Sequence, residues 1–399
     1  MHAPVFIGSE IYRRSSYGGQ HPLAIPRVST VIDLARALGW LPGAQYRTSP
    51  RARPAALTGF HTPDYVAALM RAEAEGEVDA ATRDRHALGT FSNPVFPEVY
   101  RRPATGAGGV MLAAELVRVG GIVHVPGGGT HHAMPDRANG FCYLNDPVLC
   151  ILRLRAMGLR RIAYVDIDAH HCDGVEAAFA GADDVLMLSV HEENRWPFTG
   201  RLEDDAGGNA FDLPVPRGFG DAGMAAARDR LILPTLEAFE PDAIVLQSGA
   251  DGVEEDPLSR LALSNGAHAA MAVALAGMAP RLIVLGGGGY NPWSVGRCWT
   301  RIWGALNGHP IPDRLPPEAS GVLQALVWPR RAAGRSPPAH WQTTLADPPR
   351  PGIVAPVLDD RIAALRRRLP DFFTRMAALT EKRLAQTRSR VSTACGLNS

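Results

Sequence analysis

The sequence predicts an α/β fold: a mainly parallel central sheet with helices packed on both faces. Three observations predict it. From residue 103 to residue 306, short apolar strand-like runs alternate with longer segments of helical periodicity, the pattern of strands joined by helical crossovers. The run Ile162, Ala163, Val165 and Ile167 is apolar over a strand's length and reads as fully buried. Finally, the notable polar clusters follow strands rather than precede them, and ligands in such sheets bind outside the carboxyl ends of the strands.

In order, Val5–Tyr12 reads as a first strand and 21–27 as a loop. Val28, Val31, Ile32, Leu34, Ala35 and Leu38 repeat at helical spacing and are closed by Gly39. Thr62-Pro63-Asp64 starts another helix, with threonine as cap and proline in the first turn. Residues 89–100, with Pro94 and Pro97, read as an ordered surface loop. A helix over 103–119 leads into a strand at 121–125. Helices are then predicted at 145–157, 174–180, 221–239, 264–279 and 292–306, and strands at 161–168, 184–190, 242–248 and 281–285. Residues 310–356 are rich in proline and arginine and read as an irregular wrap. Leu358, Ile362, Leu365, Leu369, Phe372, Met376 and Leu379 then repeat at spacings of four and three. That spacing fits a coiled-coil seam, but Pro370 should break or kink the helix, so a docked or kinked tail is expected.

The chain has 399 residues, 46% of them apolar and 20% charged, ordinary for a globular protein with a sizeable core. With 41 basic and 40 acidic residues the net charge is +1, which leaves no electrostatic footprint for nucleic acid or an anionic membrane. Five cysteines without zinc-finger spacing fit reduced thiols in a cytoplasm. No secretion signal or membrane-length apolar run is read.

Five polar clusters sit after strands, so five strand ends are expected to converge on one crevice. Asp166, Asp168 and His170 are spaced two apart at the end of a strand, which would project them to one face. Buried carboxylates there need a cation or a dense set of donors. Both a metal site and a hydrogen-bonded Asp/His cluster satisfy that requirement. Asp251 closes another strand end; with Asp168 and His170 it offers two oxygens and one nitrogen and leaves a coordination position open, as a catalytic zinc requires. His131 and His132 follow a glycine run; a histidine near its free pKa can accept a proton from activated water and return it to a leaving amine, and Asp166 and Asp173 are available to orient them. Tyr290 follows four glycines and could hydrogen-bond a developing oxyanion. Phe141 and Trp196 lie in loops after these strands and could wall a channel.

Taken together, Pro126-Gly-Gly-Gly-Thr-His-His-Ala133, Gly140-Phe-Cys-Tyr-Leu-Asn-Asp146, Asp166-Ile-Asp-Ala-His-His-Cys-Asp-Gly174, Ser248-Gly-Ala-Asp251 and Leu285-Gly-Gly-Gly-Gly-Tyr-Asn291 resemble the histone deacetylase family, which includes bacterial acetoin-utilisation and acetylpolyamine deacetylases. The resemblance runs from about His21 to Trp303. It implies the three-layer arginase/deacetylase fold, with a deacetylase catalytic domain over 1–309 and a wrap and helical extension over 310–399. It implies one zinc ion on Asp168, His170 and Asp251, with ferrous iron fitting the same ligands. His131 and His132 become the catalytic pair backed by Asp166 and Asp173, and Tyr290 polarises the substrate carbonyl. Phe141, Trp196, Gly140 and Gly288 line the acyl-lysine channel. Arg27 matches an arginine beside an internal cavity for the released acid. A structural K+ ion is implied at Asp166, Asp168, His170, Ser189 and Val190. A second such site is in doubt because Ala182 stands where a ligand residue often lies. Cys172 replaces a usual glycine, and Trp196 stands where phenylalanine or tyrosine is common.

The implied activity is hydrolysis of an acylated lysine side chain in a protein or peptide, or of a small acetylated amine, in the cytoplasm. Oligomerisation would run through the C-terminal extension. Three alternatives are an acetylpolyamine amidohydrolase, a non-catalytic acyl-lysine-binding protein and a two-manganese ureohydrolase. The ureohydrolase wants further carboxylates, whereas Val253 stands two residues after Asp251.

Overall fold

A strand that is apolar on both sides must be covered on both sides, and the strand residues divide accordingly. The structure is a computed structural model that describes residues 3–329, 331–352 and 356–395, with side chains as far as Ala378. Its strands are β1 (Val5–Gly8), β2 (Tyr46–Thr48), β3 (Gly121–Val125), β4 (Ile162–Asp166), β5 (Val185–Glu192), β6 (Ala210–Val215), β7 (Ala243–Gln247) and β8 (Arg281–Leu285). Ala163, Val165, Leu186, Leu188, Ile244, Leu246, Leu282 and Val284 enter one apolar core. Their alternating neighbours Ile162, Tyr164, Val185, Met187, Ala243, Val245, Ile283 and Leu285 enter the other. Helices 28–37 and 292–306 cover the first face, and 101–116 and 146–156 the second.

Among the described residues the strands form one eight-stranded parallel sheet in the order β2-β1-β3-β8-β7-β4-β5-β6. The run β3-β8-β7-β4-β5 contains the five strands whose ends carry the polar clusters. They are consecutive neighbours, so one edge of the sheet delivers all five clusters side by side.

Several expectations are corrected. β1 stops at Gly8 and a one-turn helix, Ile11–Arg14, follows. Strands β2 and β6 and the helix Ala80–His86 were not foreseen; β2 has three residues and β6 contains Pro214, which suits an edge strand. The segment 221–239 is interrupted by a π-helical turn, Arg228–Ile232, just before Pro234, whose missing N–H removes an interior helical bond. The wrap contains short helices at 317–324, 332–335 and 339–343. It is pinned by the fully buried pair Arg297–Asp347 at 2.7 Å and by Leu315, Leu323, Trp341 and Leu345 in the main core.

The last helix, Val357–Cys395, continues through Pro370. Proline in a helix interior costs about 3 kcal/mol. Here Leu358, Ile362 and Leu365 before it and Phe372 after it are buried against the core, and that docking holds the helix on both sides of the proline. The expected position at Leu379 lies outside the described side chains. Among the described residues no helix is long and apolar enough to cross a membrane. Cys142, Cys150, Cys172 and Cys298 are buried and free, and Cys395 lies outside the described side chains.

His124 in β3 is fully buried and packed edge-on to Phe6 at 5.5 Å, and among the described residues neither ring nitrogen has a partner. Burial pushes its pKa down to about 3. The unfolded chain takes up a proton near pH 6.5 that the folded chain refuses. This group's contribution is therefore intact above pH 6.5 and is lost progressively as pH falls towards 3. His124→Phe should lose about 2 kcal/mol less stability than wild type between pH 7 and pH 5, measured by urea unfolding. An unchanged pH slope would show that His124 does not resist protonation.

Candidate active site

The end of β4 organises the site. The strand stops at Asp166, so Asp168 and His170 lie on the turn beyond it and do not alternate on a strand face as the spacing suggested. The acidic side chains make that turn themselves. Asp166 Oδ1 accepts from Asp168 N at 2.9 Å, and Asp168 Oδ1 accepts from His170 N at 3.0 Å; such i to i+2 bonds compete with the sheet ladder and end it.

This turn brings Asp168 and His170 against Asp251, which follows β7 in a short 3₁₀ turn. His170 Nδ1 lies 2.9 Å from Asp251 Oδ2 and 3.2 Å from Asp168 Oδ1. All three residues are buried, and one ligand atom from each lies within 4.8 Å of the others. Ala169 N donates to Asp251 Oδ1 at 3.0 Å and Gly288 N to Asp168 Oδ2 at 2.7 Å. Burial opposes a charge on His170, but Asp168 and Asp251 outweigh it and raise its pKa to about 10. Burial likewise opposes ionisation of Asp168, yet His131 and His170 hold its carboxyl well below the usual range. Burial and the neighbouring Asp168 raise Asp251. The pocket thus draws positive charge to the point where two oxygens and one nitrogen face each other, a donor set that fits a borderline divalent ion such as zinc.

His131 and His132 stand at the end of β3 with rings 3.9 Å apart. His131 Nδ1 donates to Asp166 Oδ2 at 2.8 Å, and His132 Nδ1 to Asp173 Oδ1 at 2.7 Å. The two differ sharply instead of both titrating near the free value. Burial opposes a charge on His131, but Asp166 and Asp168 prevail and raise it to about 9. Burial and then the His131 charge push His132 down to about 4. At neutral pH one ring is therefore a cation and the other a free base.

Tyr290 follows β8, with its backbone N donating to Asp256 Oδ2 at 2.6 Å and its ring edge-on to Phe141 at 5.8 Å. Burial, then Asp251 and Asp168, raise its phenol well above 10. His132, Gly140, Phe141, His170, Trp196 and Tyr290 line one cavity of about 270 Å³. The Trp196 ring lies edge-on to His132 at 4.6 Å. Gly140 has φ +52°, and a methyl group there would overlap the Trp196 indole. Arg27 Nη1 donates to Gly287 O at 2.7 Å and is stacked on Trp299, so it braces the glycine loop before Tyr290. Ser189 lies opposite Asp166 in the β4–β5 register with Val190 beside it, which brings the five residues expected to hold a monovalent ion to adjacent strand ends.

Several supporting residues were not singled out from the sequence. Asp146 accepts from Gly129 N at 2.7 Å and from the Thr130 hydroxyl, fixing the turn that presents the histidines. Asn139 Nδ2 donates to Asp173 Oδ2 at 3.0 Å, Tyr164 donates to Asp166 Oδ2 at 2.7 Å, and Asp256 holds Tyr290. Asp146 closes the quoted motif that begins at Gly140 and Asn139 immediately precedes it, the signal that could have found them. A second cluster places His171 Nε2 2.8 Å from Glu176 Oε2 and 3.3 Å from Asp212 Oδ1.

Known proteins resemble this chain in sequence and in fold. Residues 21–306 match the histone deacetylase domain. The acetoin utilization protein AcuC of Bacillus subtilis (strain 168) is 32% identical over 332 residues, 80% of this chain and 86% of that protein. Histone deacetylase 1 of Oryza sativa subsp. japonica is 36% identical over 307 residues, 75% of this chain and 59% of that protein. The crystal structure of an HDAC homolog from Aquifex aeolicus matches with a TM-score of 0.87 at 34% identity, covering 91% of this chain and 100% of that one.

A methyl group on Gly288 would overlap Asp251 Oδ2 and press on Asp168 Oδ2. Gly288→Ala should therefore weaken any binding of a divalent ion at these carboxylates by about 10- to 100-fold in competition with a chromogenic chelator, the scale seen when groups orienting metal ligands are disturbed. Wild-type affinity in that variant would show that the two carboxylates do not depend on the glycine.

Proposed function

The chain belongs to the histone deacetylase family and is an enzyme of the deacetylase class, and from that premise we propose that it hydrolyses the amide of an acylated lysine side chain. The observation that carries this reading is His170 Nδ1 lying between the buried carboxylates of Asp168 and Asp251 beside a cavity of about 270 Å³ lined by Phe141 and Trp196. Asp168, His170 and Asp251 would hold one zinc ion; ferrous iron fits the same donors. Such an ion supplies Lewis-acid polarisation of the amide carbonyl and makes water a stronger acid. A K+ ion at Asp166, Asp168, His170, Ser189 and Val190 belongs to the same reading.

The chain's own groups do the rest. His132, neutral at pH 7 and aligned by Asp173, accepts the proton of the attacking water. It returns that proton to the nitrogen as the carbon–nitrogen bond breaks, so water and amide become carboxylic acid and amine. His131, held as a cation by Asp166, stabilises the negative charge that develops beside it. Tyr290, protonated throughout because burial raises it, donates to the developing oxyanion.

An acetylpolyamine substrate would be favoured by free carboxylates near the cavity. Glu192 is instead paired with Arg195 at 2.6 Å and Glu193 with Arg361 at 2.6 Å, which favours a lysine side chain over a polycation.

Two measurements test this. Tyr290→Phe should lower turnover by about 10²- to 10³-fold, as loss of one oxyanion donor does, with metal content unchanged; wild-type turnover would remove Tyr290 from the mechanism. Across a panel of acyl-lysine peptides, acetylputrescine and acetylspermidine, kcat/KM should be highest for a peptide. A clear preference for either polyamine would replace the substrate assignment and leave the hydrolytic chemistry standing.

A further inference from the structure

The segment between Glu192 and Ala210 contains no helix or strand, yet it carries Trp196. Such a loop needs external partners for its backbone if it is to hold an aromatic wall in place. Its inner side is tied to the site: His191 Nε2 donates to Gly200 O at 2.8 Å, and His171 Nδ1 meets Thr199 Oγ1 at 2.9 Å.

Its outer side is tied to the C-terminal helix by three arginines spaced seven residues apart, Arg361, Arg368 and Arg375. Residues at that spacing share one helix face. Arg361 pairs with Glu193 at 2.6 Å and donates to Pro214 O at 2.6 Å. Arg368 donates to Leu202 O at 3.0 Å, Asp204 O at 3.2 Å and Ala210 O at 2.8 Å, and stacks on Phe211 at 5.3 Å. Arg375 donates to Gly207 O at 2.9 Å and Gly208 O at 2.5 Å. The guanidinium group suits this task because it offers five donors in a rigid fork and accepts nothing, so one side chain can satisfy several loop carbonyls. The helix that bears them lies wholly outside residues 21–306, the part that matches the family domain.

We propose that Arg361, Arg368 and Arg375 are positioning residues that fix the 193–209 loop, so that the C-terminal helix sets how tightly Trp196 closes the acyl-lysine cavity. This rests on Trp196 walling that cavity. The arginines touch no reacting atom. Losing them should therefore loosen substrate binding and leave the chemical step intact, whereas a role confined to docking the helix would leave KM unchanged.

The test uses full-length protein carrying Arg361→Ala, Arg368→Ala or Arg361→Lys, with Trp196→Ala as reference. KM and kcat for an acetyl-lysine peptide, affinity for an aliphatic hydroxamate and hydrogen exchange by mass spectrometry are measured for each. The alanine variants should raise KM and weaken the hydroxamate by about 10-fold, the lower end of the scale for one methylene's contact in an apolar pocket. Turnover should stay near wild type, and amide exchange should quicken over 193–209 while β4 and β7 keep their protection. Arg361→Lys, which keeps the charge opposite Glu193, should restore most of the loss. Wild-type KM and hydroxamate affinity in both alanine variants would overturn the proposal, as would loss of protection throughout the sheet. If Trp196→Ala itself leaves KM and hydroxamate affinity unchanged, it is the cavity reading that fails. If Trp196→Ala weakens both and the arginine variants do not, only the positioning role fails.

Discussion

Two carboxylates, Asp168 and Asp251, are buried facing a single imidazole at the ends of neighbouring strands, and most of the site depends on that arrangement. Removing ionised carboxylates from water costs several kcal/mol each unless compensating charge is supplied. Only part of the compensation is polar protein: Ala169 N, His170 N and Gly288 N each give one hydrogen bond. The remainder is positive charge, which in the protein alone appears as a strongly raised His170 and His131. A divalent ion at the same point would answer the same demand, and His170 of the donor set lines the cavity that Trp196, Phe141 and Tyr290 also line.

The fold makes this concentration of charge affordable. Because β3, β8, β7, β4 and β5 are consecutive in a parallel sheet, five turns are delivered to one edge without any long excursion of the chain. The turns after β3 and β8 are braced from behind: Asp146 holds the turn before the histidines, Asp166 and Asp173 orient their rings, Asp256 holds Tyr290, and Arg27 braces the glycine loop. The carboxylates Asp166 and Asp168 raise His131, whereas burial and then the His131 charge lower His132.

Much of this was legible in the sequence, because apolar runs, glycine turns and Asp/His spacing act locally. The strand 121–125 and the helix 292–306 sit where periodicity places them, and the helix after Thr62 starts at Pro63 as expected, although the Thr62 hydroxyl makes no cap hydrogen bond. What was not legible depended on contacts between distant residues. The alternation rule put Asp168 and His170 on a strand face, whereas their own side-chain bonds had already ended the strand at Asp166. Pro370 stays inside a helix because Phe372 and Leu365 dock on either side of it, a tertiary effect that overrides propensity. β6 hides behind Pro214, and Asp256 reaches Tyr290 across 34 residues. The divided pKa values of His131 and His132 follow from the carboxylates around His131 and from burial beside the His131 charge for His132, and adjacent positions in a sequence cannot reveal that.

The most direct test of this electrostatic reading is to titrate zinc into metal-stripped full-length protein while following hydrolysis of an acetyl-lysine peptide. Activity should be absent at the start, rise linearly with added zinc and reach a plateau at about one ion per chain, as a single three-ligand open site requires. Full activity before any metal is added, or a plateau that needs two ions per chain, would contradict it.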